Sequence, residues 1–522
     1  MAEARRTVGS VTYREADQGY FDQRGLRRHA GAWSLWALGV AAVISGDFFG
    51  WNFGLLEGGF GGLLIATVVI TIMYLGLCFS IAEMSPALPH TGGAYSFGRS
   101  AMGPWGGYVT GLAENMEYVV TPAVIVVGIG GYMDSIFIDA FDIDLPQPLW
   151  WAIFYVIFVG LNYIGVEASF RFSVVICFLA LIVLTVFFIT AIGDFDADNL
   201  SNIPPEGGNS DFLPFGASGI LFAFPFAIWF YLAIEELPLA AEESHDPRRD
   251  IPKGMIYGIL TLIVFGVLTL VLNTGVSPGA LGIGESAEPL LDGFRTTLGS
   301  DTSANLLGLM AVAGLVASFH TIIFAYGRNI YSLSRAGYFP HWMSVTDAKR
   351  KTPHVALLIG AVLGFALAWV LDEFGDNPNV GGALLYMAVF GAVISYVMQM
   401  ISFVILRRKL PDIERPYRSP LGVPGAVVAG VIAAVTLVVL PFNSDYRPGV
   451  YGMILWFAAG LLYFALSGRN KLVFSPEEEF ALSHGEHGIP DDQGYGAMRV
   501  SDVGPGGTDA AAGPTEATEP TA

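Results

Sequence analysis

Charge is scarce in this chain, and cysteine nearly absent. Only 14% of its 522 residues are Asp, Glu, Lys or Arg, too few for the solvated surface of a soluble protein of this length. Its two cysteines, Cys78 and Cys177, both lie in apolar runs. They offer neither a disulfide framework nor metal-ligand spacing. The sequence lacks GxSxG, HExxH and GxxxxGK[ST] motifs, so it carries no common hydrolase signature and no built-in ATP motor. No nucleophile–base set can be assembled. An enzyme, a cofactor, a metal site and a nucleic-acid partner are therefore not expected. The first thirty residues are charged and polar, with no short apolar core before a small-residue cleavage site. No cleavable signal is expected.

What the chain has in plenty is apolar sequence: 53% of residues are hydrophobic and the mean hydropathy is +0.56. Twelve apolar segments approach the ~20 residues a membrane-crossing helix needs. They fall near 33–56, 62–84, 105–133, 149–165, 173–192, 215–237, 255–275, 303–333, 355–371, 382–406, 424–441 and 450–467. Lys and Arg gather in alternate connections, at Arg99, Arg171, Arg248, Arg249, Arg335, Lys349–Lys351, Arg407–Lys409 and Arg469. The remaining connections hold only Arg295 and Arg447. By the positive-inside rule this predicts twelve spans of a cytoplasmic membrane with both termini cytoplasmic. The expected organisation is a leader over 1–31, a transporter domain over 32–472 and a disordered acidic tail over 473–522. The outer loops are acidic, with Asp139, Asp142, Asp144, Asp194, Asp372 and Asp376 among them. They could concentrate cations or simply be solvated. His484 and His487, a metal pair by spacing, fall in the tail and are read as solvated residues.

Two segments are interrupted. In ALGVAAVISGDFFGWN, Ser45, Gly46 and Asp47 break the first segment near its middle, and Gly50 follows. An aspartate at that depth costs roughly 2.5–3.5 kcal/mol on insertion scales and needs a partner or a watery cavity. Irregular backbone at that depth is tolerated only where it lines a cavity or is buried in protein. In the sixth segment, PFGASGILFAFPFAIWFYLAIEELP, Pro225 removes a backbone donor and predicts a break near Pro225–Trp229. Corresponding breaks five helices apart point to a five-plus-five inverted repeat with a midplane site. The fold class expected is thus an all-α membrane protein of twelve helices with helices 1 and 6 broken.

Three stretches carry a family likeness: SGDFFGWNFG, EMSPALPHTGGAYSFGRSAMGPWGGY and AIEELPLAAEESHDPRRDIPKG. From about Phe21 to Lys471 the chain resembles the amino acid–polyamine–organocation permeases, and among them the ethanolamine permeases. The resemblance implies a LeuT-like broken-helix transporter and uptake of a small amine driven by a proton or sodium gradient. The likeness is not complete. Where amino acid carriers of the family show Gly-x-Gly, this chain has Gly50-Trp51-Asn52, and Glu236, Leu237 and Pro238 replace the usual small apolar residues after the first glutamate.

Several residues could carry the chemistry. Asp47 supplies a charge for an ammonium, Gly46 and Gly50 loosen the backbone, and Trp51, Trp229 and Tyr231 could wall a pocket. Ordinary helix packing is the alternative for the aromatics. Glu114 and Glu117 lie one turn apart on one helix face. Glu117 resembles an ethanolamine-permease position and could join the cation site or carry a coupling proton. Glu114, Glu235, Ser318, His320 and Thr321 are candidates for coupling or gating. His320 could carry a proton. The resemblance implies that Ser318 and Thr321 could line a sodium site. Glu83, Glu242 and Glu243 read as structural ion-pair partners, the latter two beside Arg248 and Arg249. The expected partners are a small cationic amine, H+ or Na+, and the lipid bilayer. An amino acid or polyamine permease is the alternative within transport, and a transporter-like sensor the alternative outside it.

Overall fold

The computed structural model describes residues 5–14, 18–24, 26, 28–299, 301–374, 380–444 and 446–485. The chain opens with strands β1 (Arg5–Val8) and β2 (Val11–Arg14) and a short α1 (Gln18–Asp22). Then come α2 (Ala32–Val43), α3 (Phe53–Ala87), α4 (Ala94–Phe141), α5 (Gln147–Ile164) and α6 (Val166–Ala191). The broken sixth segment is α7 (Gly216–Phe222), α8 (Phe224–Trp229) and a 3₁₀ stretch, Ile234–Glu243. After α9 (Pro247–Gly275), two short helices, α10 (Gly279–Glu285) and α11 (Pro289–Leu298), cap the bundle. The remainder is α12 (Asp301–Arg335), α13 (His354–Phe374), α14 (Val380–Lys409), α15 (Gly422–Val439), α16 (Arg447–Leu466), β3 (Leu472–Val473) and α17 (Pro476–Ser483).

Eleven helical stretches among the described residues are long and apolar enough to cross a membrane, with Gly216–Glu243 counted as one. The first apolar stretch, Ala32–Asp47, is shorter, because its helix unwinds at the Ser-Gly-Asp interruption. The outer surface of the bundle is apolar: Val156, Val175, Ile189, Val362 and Leu455 stand exposed. The interior, in contrast, holds carboxylates and hydroxyls. Apolar outside with polar groups sequestered inside is the arrangement a lipid solvent demands. This is a multi-pass membrane protein.

Two expectations need correction. The sixth segment does not break at Pro225. That proline occupies the first turn of α8, where a missing N–H and a fixed φ suit a helix start. The chain unwinds one turn later, over Phe230–Ala233, with Ala233 left-handed at φ +85°. The second correction concerns 473–522. Its first part is folded: β3 pairs in parallel with β2, and α17 buries Glu477, Glu478, Glu479 and Phe480. His484 ends that helix as its left-handed cap residue, while His487, like Asp376, lies outside the described residues. Because β1, β2 and β3 form one sheet, both ends of the described chain meet on one face of the bundle, the termini face.

Candidate functional site

The two breaks touch. After α2 the chain makes a 3₁₀ turn over Ile44–Asp47 and irregular turns to Asn52 before α3 begins. Trp229, at the end of α8, donates its indole N–H to the Phe49 carbonyl at 2.8 Å. Tyr132 of α4 donates to the Phe48 carbonyl at 2.8 Å. Two carbonyls freed by the unwinding are therefore held by protein donors. Asn52 accepts from the Gly50 amide at 3.1 Å and donates to the Ile283 and Ser286 carbonyls, each at 2.9 Å. That ties the break to α10.

Close approach requires glycine here. A Cβ on residue 46 would lie 2.3 Å from the Trp229 carbonyl oxygen. Gly46→Ala must push the two breaks apart, an overpacking strain of about 1–3 kcal/mol. Uptake is expected to fall at least tenfold while the protein still elutes as a monodisperse peak. Uptake equal to that of the parent would show that this contact does not set the site.

Around the breaks sit five buried acids: Asp47, Glu114, Glu117, Glu235 and Glu236. Among the described residues none of them joins an ion pair with Lys or Arg. Asp47 lies beside Thr269 of α9 and Tyr231, and its Oδ1 has no hydrogen-bond partner. Glu235 accepts from the Tyr396 hydroxyl at 2.6 Å and from the Ala233 amide at 3.2 Å, so it caps the second break. Tyr396 and Tyr74 share a hydroxyl contact of 2.8 Å. Glu117 faces Glu235 closely enough for the two carboxyls to interact. Both Glu117 oxygens and both Glu236 oxygens lack protein partners. Glu114 meets Tyr118 and Asn329, each at 3.4 Å, and lies beside the Ala94 and Tyr95 amides.

The acids nearer the termini face are different. Glu83 pairs with Arg407 at 2.6 Å, Glu242 with Arg335 at 2.7 Å and Glu243 with Arg328 at 2.8 Å. Structural ion pairing was expected for these three, but Arg248 and Arg249 are not the partners. Arg248 reaches Glu414 and Arg249 stays beside Asp246.

The remaining candidates divide: Trp51 and Tyr231 stay at the breaks, whereas His320 does not. Trp51 is fully buried, its ring 5.6 Å from that of Phe230. The Tyr231 hydroxyl meets Thr71 at 2.8 Å. His320 is not brought to the acids. Its ring nitrogens face the Asn162 amide at 3.0 Å and the Ser169 hydroxyl at 2.8 Å, and Phe172 packs on its ring. Ser318 donates to the Ala41 carbonyl at 2.6 Å and accepts from the Ser45 amide at 2.9 Å, while Thr321 donates to Ala317 at 2.7 Å. Sequence reasoning missed Tyr74, Thr269 and Tyr396. The signal for α14 was present: Ser395, Gln399 and Ser402 make a polar stripe at helical spacing in an apolar helix.

On the face opposite the termini, a cleft of about 540 Å³ runs down to Phe49 and Phe53. Trp151, Gln147, Glu285 and Asp372 line it. It ends beside the first break, whereas the termini face is closed by the ion pairs above. The cleft thus stops at Phe49 and Phe53, and the five acids are not part of its lining.

Residues 35–474 match the family model described as amino acid permease. The chain belongs to the amino acid permease family. It is 29% identical to an uncharacterised transporter of Rhizobium meliloti over 405 residues, covering 76% of this chain and 83% of that one. It is 26% identical to the branched-chain amino acid permease BcaP of Bacillus subtilis over 471 residues, covering 86% and 94%. It is 24% identical to the methylthioribose transporter of the same organism over 469 residues, covering 86% and 95%. The likeness thus spans 76–86% of this permease and 83–95% of these relatives.

Proposed function

We propose that this permease imports ethanolamine or a similar small primary amine across the cytoplasmic membrane, by alternating access driven by an ion gradient. The observation that carries the substrate reading is the set of five buried acids without a basic partner. A buried charge needs a counter-charge, and an organic ammonium would supply it. An α-amino acid also brings a carboxylate, which needs bare amides at a helix terminus. Here the Gly50 amide already donates to Asn52, and Asp47 would repel a carboxylate in a poorly screened cavity.

Twelve spans in a five-plus-five inverted repeat, with both termini cytoplasmic, belong to the same reading. Its support is that eleven spanning-length helices plus the broken Ala32–Asp47 stretch bring both described ends to one sheet. Ends on one face require an even number of crossings. A proton is favoured over sodium as coupling ion. Two facing carboxyls, Glu117 and Glu235, can share a proton, whereas the Ser318 oxygen already accepts from the Ser45 amide.

The second reading is an amino acid permease. The family and the branched-chain relative favour it over the amino alcohol, although the methylthioribose transporter is matched over as much of its length. Labelled ethanolamine uptake in proteoliposomes, with pH and sodium gradients imposed separately, tests both. Ethanolamine is expected to accumulate with the proton gradient, and glycine, alanine and leucine to compete poorly. Stronger competition by leucine or alanine than by ethanolamine would establish the amino acid reading instead. Uptake that follows sodium and ignores pH would remove the proton. Counterflow of internal for external substrate separates a carrier from a sensor.

A further inference from the structure

On the termini face, segments far apart in the sequence converge on two carboxylates of α17. Glu478 accepts from Tyr13 of β2 at 2.7 Å, Tyr95 of α4 at 3.1 Å, Tyr338 at 2.8 Å and Arg99 Nε at 2.6 Å. Arg99 also donates to the Tyr13 hydroxyl at 2.8 Å. Glu477 accepts from Arg335 at 2.6 Å and from Ser332 at 2.9 Å, both on α12. Both carboxylates are wholly buried. An isolated helix of eight residues barely forms, so these partners hold it in place.

Arg335 gives this arrangement a consequence for transport. The same guanidinium donates to both oxygens of Glu242, at 2.9 and 2.7 Å, at the foot of the broken sixth segment. The foot, α12 and the tail helix therefore share one charge. The foot cannot part from α12 at Arg335 without breaking the bonds of that guanidinium to Glu242 or to Glu477.

We propose that β3 and α17, together with the β1–β2 hairpin, form a clasp that fixes the Arg335 guanidinium against the foot and so holds the termini face closed. Burial alone would raise the Glu477 carboxyl, but Arg335 and then His90 outweigh it and hold it down at about 2. A depressed carboxyl keeps its full contribution above the ordinary glutamate range and loses it only as pH falls toward 2. The Glu477 carboxylate therefore stays charged near neutrality.

The inference rests on the transporter reading but not on the identity of the solute, so its test uses no substrate. In the full chain, Ala241 at the foot is buried, and both native cysteines are buried as well. Ala241→Cys then serves as a reporter, labelled by a membrane-impermeant maleimide applied to the termini face. Glu477→Gln and Glu478→Gln are each expected to raise its labelling rate at least fivefold, and Ser332→Ala about twofold. Labelling of Ala123→Cys, buried in the middle of α4, should stay unchanged. An unchanged rate at residue 241, or an equal rise at both reporters, would overturn the clasp. Should the glutamate variants lose their monodisperse peak, Tyr13→Phe carries the test. It removes one hydroxyl and must at least double the rate at residue 241.

Discussion

Asp47→Asn is expected to weaken binding of a cationic amine by two to three orders of magnitude. The substitution keeps the shape of the side chain and removes only its charge. Opposite charges 4 Å apart attract by about 4 kcal/mol at an effective dielectric of 20, close to a thousandfold in affinity. Desolvation of the ammonium takes back part of that. Asp47 can act this way because its Oδ1 is buried without a protein partner at a break held close against the second one at Gly46 and Trp229. Glu117→Gln should behave differently. If the Glu117–Glu235 pair carries the coupling proton, this variant loses gradient-driven accumulation yet keeps counterflow, which moves substrate both ways without net proton movement. Equilibrium binding of labelled amine, measured beside both transport assays, distinguishes the two acids. Unchanged affinity in Asp47→Asn would place the solute elsewhere. Loss of counterflow in Glu117→Gln would make Glu117 a substrate ligand.

Parts of this architecture were legible in the residues because they obey local rules. Segment length and apolarity mark the spans, and the Ser45-Gly46-Asp47 interruption marks the first break. The second break was misplaced because a proline was read without its position. Pro225 begins a helix turn, and the real break depends on Ala233 being held left-handed while Glu235 caps its amide. No local pattern announces that. The tail was misread for a similar reason. Glu, Pro and Gly cannot build a core, but α17 needs none of its own: Tyr13, Tyr95, Arg99, Ser332 and Arg335 supply its partners. His320 shows the same limit from the other side. An isolated histidine in an apolar helix is more often packing than coupling, and only the structure shows Asn162 and Ser169 facing its two ring nitrogens. The five unpaired acids were individually visible in the sequence. That no arginine among the described residues reaches them, while arginines reach Glu83, Glu242 and Glu243, is a tertiary fact.

Arg328→Ala is expected to cost about 3–5 kcal/mol of stability, the range for removing one member of a buried ion pair. Arg328 is 1% exposed and donates to Glu243 at 2.8 and 3.4 Å. Its guanidinium also lies 3.7 Å from the centre of the Phe324 ring, one turn earlier on α12. Truncation would leave Glu243 as a buried charge with no counter-ion and strip a cation from an aromatic face. The effect should spread, because the Glu243 carbonyl accepts the His29 and Ala30 amides at 2.7 and 2.9 Å and so ties the leader to the foot of the sixth segment. The pair itself need not be the source of stability, since apolar replacements of matching volume are often neutral or better. Arg328→Met combined with Glu243→Leu is therefore expected to recover most of the loss, although both single variants are severe. Reversible unfolding in mixed micelles, followed by tryptophan fluorescence, measures all four proteins. A single variant within 1 kcal/mol of the parent would mean that water reaches Glu243 and that this end of the bundle is not sealed.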